Sequence, residues 1–257
     1  MNGDFEALGP SVVHVWYQQT DQLLPDAVPI ARACLSPDEQ ARADRFAAAD
    51  DRRDYVLAHS LLRHALSRYG AVPAGDWAFD AGEGGKPRLA ETHRDTGLTF
   101  NLSHTRGLVA CAIGRGGDIG VDVERLNRAV DDRDIARRFF AATESAWLDR
   151  CEPASRASSF IELWTLKEAY VKAKGQGLAE PLDGFSFQWR ESAGLQFERA
   201  EDDGGIWAFA LFEPCQWARM AVAIRRPVAC DQRFIARVWN EPDRVLAPVR
   251  AAGDVIF

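Results

Sequence analysis

Two carboxylates stand two residues apart in Gly120-Val121-Asp122-Val123-Glu124. On a β-strand, residues i and i+2 share a face, so Asp122 and Glu124 point one way while Val121 and Val123 point into a core. At about 4 Å and an effective dielectric near 20, two such charges repel by roughly 4 kcal/mol. Solvent, a lysine or a metal must offset that. Further along, Trp164–Lys174 (WTLKEAYVKAK) sets Glu168 and Lys172 four apart, on one helix face, with Trp164 a turn before them. Lys167 and Lys174 share a neighbouring stripe. Read separately, the first motif is a solvated polar face and the second a surface ion pair of about 0.2–0.5 kcal/mol. However, Phe160, Ile161, Leu163, Leu166 and Tyr170 crowd the second segment. This composition predicts a largely buried helix whose charges gather on one opening, because buried Lys and Glu are rare unless paired. Glu168 joined to Asp122 and Glu124 would make an all-oxygen site of the kind Mg²⁺ takes alongside substrate phosphates. No Cys/His cluster competes to make a zinc site. Three carboxylates repel a diphosphate, a divalent cation reverses the sign, and adjacent lysines can hold the remaining phosphate charge.

Two weaker signals accompany these. Phe100-Asn101-Leu102-Ser103-His104-Thr105 offers hydroxyls and a ring N–H that could hold a phosphate, with Ser103 to Arg106 read as a turn between strands. Gly85-Lys86-Pro87-Arg88 puts two cations on a rigid turn. Each alone is a common surface sequence.

The elements that must position these residues follow from patterning. Ser11–Gln18 alternates apolar and polar residues and predicts a strand. Ser36-Pro37-Asp38-Glu39 is a helix start, with Ser as N-cap and Pro in the first turn, and helical patterning runs on to about Tyr69. Gly82 to Pro87 is a loop by composition. Leu98–Leu102 and Leu108–Ile113 predict strands, and Gly114 to Gly117 a boundary. Beyond it come a strand at Ile119–Val123, helices at Asp134–Phe140, Thr143–Arg150 and Arg156–Lys174, then strands at Phe185–Trp189, Ile206–Phe212 and Trp217–Ile224. Each half reads strand, helices, strands, an α+β pattern. The expected division is 1–115, 116–226 with the metal site, and a tail over 227–257 that patterning does not place.

Composition bounds the rest. The chain has 257 residues and a formal net charge of −7, so an anion would need a local basic cluster or a metal, and bulk charge gives no support for nucleic-acid binding. No apolar run approaches the roughly 18 residues of a membrane span. Met1 to Pro10 carries Asp4 and Glu6 and lacks the basic start and apolar stretch of a secretory signal. The five scattered cysteines, Cys34, Cys111, Cys151, Cys215 and Cys230, fit reduced, mostly packed thiols in a cytoplasmic protein.

Taken together and in this order, GKP at Gly85–Pro87, FNLSHT at Phe100–Thr105, GVDVE at Gly120–Glu124 and WTLKEAYVKAKGQGL at Trp164–Leu178 resemble the 4′-phosphopantetheinyl transferase superfamily, surfactin-synthetase-activating type. Leu35 to Arg63 is similar upstream, although Glu39 and Arg42 stand where relatives often carry lysines. The resemblance implies a pseudo-dimer of two similar α+β halves with coenzyme A in the cleft between them. It implies that Asp122, Glu124 and Glu168 hold Mg²⁺ against the pyrophosphate and that Lys172 contacts it. Lys86, Pro87, Ser103 and His104 would meet the nucleotide, with Arg42, Arg52 and Arg53 as further candidates for its phosphates. The implied reaction moves phosphopantetheine onto a serine of an acyl or peptidyl carrier protein, with Glu168 as base and Lys172 stabilising the leaving phosphate. The same carboxylates could instead serve a metal-dependent phosphoesterase acting on coenzyme A or a nucleotide. The two-half layout predicts a monomer.

Overall fold

The computed structural model describes residues 8–126, 132–177, 180–190, 194–199, 206–226, 231–252 and 255–256. Leu178, Cys230 and the start of the tail at Pro227 lie outside them, as do Asp4 and Glu6. In chain order the elements are β1 (Val12–Gln19), α1 (Ala27–Arg32), α2 (Pro37–Ala43), α3 (Ala49–Leu66), β2 (Phe79–Ala81), β3 (Pro87–Leu89), β4 (Leu98–Thr105), β5 (Leu108–Arg115), β6 (Asp118–Arg125), α4 (Asp132–Phe139), α5 (Ala142–Arg150) and α6 (Pro153–Lys174). They continue with β7 (Phe185–Arg190), β8 (Gly194–Arg199), β9 (Ile206–Cys215), β10 (Ala218–Arg226), β11 (Gln232–Val238), β12 (Glu241–Leu246), β13 (Arg250–Ala252) and β14 (Val255–Ile256).

The larger of the two main sheets runs β12-β11-β1-β5-β4, with β14 also on β11, and the smaller runs β13-β9-β10-β6; β2-β3 and β7-β8 form two-stranded pairs. The two main sheets stack face to face. Val13, Val15 and Tyr17 of β1 and Leu108, Ala110 and Ala112 of β5 meet Val121 and Val123 of β6 and Met220, Val222 and Ile224 of β10. Period-two alternation does the sorting. Trp16, Val109, Cys111 and Ile113 leave the opposite face of the first sheet and pack on Leu61, Leu62 and Ala65 of α3. On the far side, Leu166, Ala169 and Ala173 of α6 cover Phe209, Leu211, Ala221 and Ala223. The layers are therefore helix, sheet, sheet, helix, an α+β arrangement of two similar halves. Each fully buried Val, Leu or Phe contributes about 1.5–3 kcal/mol.

The structure departs from the patterning in three places. Helix does not run unbroken to Tyr69: α2 ends at Ala43 and α3 begins at Ala49. Between them Phe46 turns inward against the Tyr55 ring, 5.2 Å between centroids, and Arg52 Nη2 donates to the Phe46 carbonyl at 3.0 Å. The start of α2 is as read, with Ser36 at the N-cap, and the structure adds the reciprocal half of a capping box: Ser36 accepts from the Glu39 N–H and Glu39 accepts from the Ser36 N–H. Second, Ser103 and His104 are not in a turn, because β4 continues to Thr105. Asp54 Oδ2 accepts the Gly107 N–H at 3.0 Å, so the reversal is confined to Arg106-Gly107, with Gly107 at φ 86°. Third, the tail joins both halves: β11 pairs in parallel with β1 and β13 pairs with β9. The short elements α1, β2, β3 and β8 also had no legible pattern.

Candidate active site

The site starts from a glycine. A Cβ on Gly120 would lie 2.0 Å from the Ala169 carbonyl oxygen and 2.5 Å from the Ala173 N–H. Its absence lets α6 settle onto β6 closely enough for side chains further along to bond across. Asp122 lies two residues on, facing the same way. Its Oδ1 accepts from Lys172 Nζ at 2.6 Å and from Ser103 Oγ at 3.1 Å, and Lys172 Nζ also reaches Ser103 Oγ at 2.9 Å. Asp122 is only 4% exposed, and its Oδ2 is buried with no hydrogen-bond partner among the described residues. A buried carboxylate oxygen left unpaired costs about 1–3 kcal/mol or more, which suits a position that a cation completes.

The FNLSHT motif supplies the joint between the sheets. β4 and β6 are both edge strands, and the N–H groups along an edge need acceptors. Asn101 Oδ1 accepts the Val121 N–H at 2.8 Å, and Ser103 Oγ accepts the Val123 N–H at 3.3 Å. Alternate side chains of one edge thus stand in for a missing strand against the other. His104 falls on the opposite face, the one covered by α3, across from Val109, and is exposed.

The glycine-rich loop closes against the end of α6. Gly84 sits at φ 60°, where a Cβ would come within 2.1 Å of the Gly175 carbonyl oxygen. Lys86 Nζ donates to the Ile119 carbonyl at 2.8 Å and to the Ala173 carbonyl at 3.0 Å, tying the loop to β6 and α6. Burial pulls its pKa down to about 8.

These contacts frame a cavity of about 590 Å³ at the seam of the two halves. Lys86, Pro87, Asn101 and Leu102 line it from one side, and Glu168, Val171 and Lys172 from α6. Arg138 and Phe139 of α4, with Pro181, Leu182 and Asp183, line the rest. Sequence reasoning missed this last group. The signal was the pair Phe139-Phe140, of which only Phe140 is buried while Phe139 stays 45% exposed.

Other expected residues stand apart from the cavity lining. Arg53 is committed to Asp50 and Asp54, each at 3.0 Å. Arg52 holds the Phe46 carbonyl, and Arg42 lies 5.8 Å over the Tyr55 ring, both exposed. The expectation that the lysines beside Glu168 hold phosphate charge fails for Lys167. It is fully buried and pairs with Glu144 at 2.7 Å, also bonding the Leu182 and Phe185 carbonyls. Glu144 accepts the Phe187 and Ala141 N–H groups. Lys174 pairs with Glu180 at 2.7 Å. Glu39 binds His59 at 2.9 Å and Arg63 at 2.8 Å and so fastens α2 to α3.

Packing of α6 on β6 brings Lys172 onto Asp122, and Glu168 opens on the same cavity as Lys172. Among the described residues, no three His, Cys, Asp or Glu side chains are gathered into a group that could hold a metal ion as they stand. The all-oxygen donor set and the orphaned Asp122 Oδ2 fit a hard cation such as Mg²⁺.

Comparison with known proteins identifies the family. Residues 118–224 match the family model of the 4′-phosphopantetheinyl transferase superfamily, and residues 24–114 match that of the 4′-phosphopantetheinyl transferase N-terminal region. The 4′-phosphopantetheinyl transferase HetI of Nostoc sp. is 38% identical over 168 residues, covering 65% of this chain and 70% of HetI. A 4′-phosphopantetheinyl transferase of Bacillus subtilis is 30% identical over 201 residues, 77% of this chain and 86% of that one. A solved holo-(acyl-carrier-protein) synthase from Bacillus anthracis aligns at a TM-score of 0.37 and 17% identity, over 42% of this chain and 94% of that one. Identity carried across most of the length of HetI and of the Bacillus subtilis enzyme shows that this chain belongs to the 4′-phosphopantetheinyl transferase superfamily.

Proposed function

We propose that this protein transfers the 4′-phosphopantetheine arm of coenzyme A to a serine hydroxyl of an apo carrier protein. The products are the holo carrier and adenosine 3′,5′-bisphosphate. The observation that carries the reading is the seam cavity, which collects Lys172, Glu168, Lys86 and Pro87 above the buried Asp122.

In this reading Asp122, Glu124 and Glu168 hold Mg²⁺, which supplies charge neutralisation at the pyrophosphate when bound. Phosphoryl transfer rests chiefly on positioning and on stabilising charge at the phosphate oxygens. Lys172 is poised for that work: its ammonium is part-exposed, and the bonds to Asp122 and Ser103 aim it at the cavity. Glu168, one turn earlier on the same face, would take the serine proton directly or through a water. Pro87 and the backbone around Lys86 would seat the nucleotide. Lys86 itself acts first as a clamp, since both carbonyls it holds belong to the other half. Ser103 would meet the nucleotide beside Lys172, and His104 would reach it only from the opposite, exposed face of β4. The exposed Arg42 and Arg52 are left to meet the nucleotide's outer phosphate, with Arg53 orienting Asp54. Because the two halves of one chain already supply both walls, the protein acts as a monomer, in the cytoplasm, on carriers of fatty-acid, polyketide or nonribosomal peptide assembly.

The test is a mass measurement. Purified protein, an unmodified carrier, coenzyme A and Mg²⁺ yield a carrier heavier by one phosphopantetheine, and Asp122→Ala or chelation abolishes the shift while the protein stays folded. An unchanged mass across a panel of carriers, with steady coenzyme A hydrolysis in their absence, would replace this reading with the phosphoesterase.

A further inference from the structure

The side-chain joint between β4 and β6 leaves one donor group over. Along β6 the contacts form a series of rungs. Lys86 Nζ donates to the Ile119 carbonyl, Asn101 Oδ1 accepts the Val121 N–H at 2.8 Å, and Ser103 Oγ accepts the Val123 N–H at 3.3 Å. A backbone N–H can only donate, so the amide atom that meets Val121 is the oxygen. That one bond fixes which way the Asn101 amide is turned. Its Nδ2, which carries N–H donors only, then has no acceptor among the described residues.

Asn101 is 5% exposed and forms part of the wall of the seam cavity. A donor this deep in the protein is costly unless something accepts from it. The joint itself does not call for an amide. A hydroxyl makes the same rung two residues along, at Ser103. Asn101 therefore carries a function that the rung does not use, and the cavity is where that function is presented.

The place of the rung says which part of a ligand it meets. Strand residues advance by about 3.3 Å each, so the Asn101 rung stands roughly 7 Å along β6 from the Lys86 rung at Ile119. Asp122, with Lys172 bonded to it, is the next residue on the other side. In the transfer reading, Pro87 and the backbone around Lys86 seat the nucleotide, and Lys172 meets the pyrophosphate. Between those two ends coenzyme A has its adenosine, whose ribose oxygens and purine ring nitrogens are acceptors.

We propose that Asn101 is a binding residue for the nucleoside of coenzyme A. Nδ2 donates to a ribose oxygen or a purine nitrogen while Oδ1 keeps β6 in register. The proposal rests on the transfer reading and adds to it a residue with two separable tasks.

Two substitutions separate them. Asn101→Asp keeps an oxygen for the Val121 N–H and removes the amide donor. Asn101→Thr keeps a neutral hydroxyl for the same N–H, as Ser103 does for Val123, and removes the donor without adding charge. Each variant is checked by its thermal melt, then titrated calorimetrically with coenzyme A and with adenosine 3′,5′-bisphosphate, which has the nucleoside and lacks the pantetheine arm. Both variants bind both ligands about tenfold or more weakly than the parent does. In the carrier mass-shift assay the KM for coenzyme A rises by the same factor, while kcat and the KM for the carrier are unchanged, as a lost ground-state contact requires. Folded variants that bind the bisphosphate as the parent does overturn the proposal and leave the transfer reading standing. Weakening confined to Asn101→Asp overturns it too, because that is charge repulsion alone. A parent that binds neither ligand overturns the transfer reading, and this proposal with it.

Discussion

Replacing Gly120 with alanine tests the central geometric argument. The added Cβ would stand 2.0 Å from the Ala169 carbonyl oxygen and 2.5 Å from the Ala173 nitrogen, both backbone atoms of α6. Non-bonded heavy atoms settle at about 3.5–4.0 Å, so the helix must retreat from β6 by more than about 1 Å. Overpacking of this kind costs about 1–3 kcal/mol. At about 2–4 °C per kcal/mol for a domain of this size, the melting temperature falls by roughly 2–12 °C. The retreat also carries Glu168 and Lys172 away from Asp122. Misplacing catalytic groups by about 1 Å can cost on the order of 100-fold in rate. The assay pairs a circular-dichroism melt with the carrier mass shift, read well below the melting temperature. Gly75→Ala is the control, because nothing lies within 4 Å of its added Cβ. If Gly120→Ala melts within a degree of the parent and keeps full transfer rate, the close seating of α6 on β6 is not what builds the site.

Lys167→Met leaves the fully buried Glu144 without its cation and costs about 3–5 kcal/mol by urea denaturation. Pairing it with Glu144→Leu recovers part of that loss, whereas simple additivity would refute the coupling. Glu39 supplies the pH dependence. Burial would raise its pKa, but bonds from His59, the Ser36 N–H and Arg63 prevail and bring it from 4.5 to about 2. A carboxylate lowered by folding contributes stability that is fully present above the unfolded value and lost as pH falls through the folded one. Glu39→Gln should therefore destabilise by about 3 kcal/mol at pH 7 and by much less near pH 2. A pH-independent difference in urea midpoints rules the ionised network out.

Local chemistry was legible where a residue acts on its near neighbours. The Ser36 N-cap, the alternation that buries Val121 and Val123, and the shared face of Glu168 and Lys172 each depend on spacings within one element. Asp122 and α6 had to meet if the motifs were to act together, and the expectation that they face each other came from residue types. What no spacing could convey was the partner of each charge. Lys167 and Lys172 are five residues apart in one helix with the same side-chain chemistry, yet one is sealed against Glu144 and the other opens on the cavity. The β11 strand pairs with β1 from the far end of the chain, and Phe139 lines the cavity from α4. Periodicity reports which side of an element is buried. Which groups share that burial is decided only when sheets and helices stack, because the desolvation that selects partners comes from the surrounding layers.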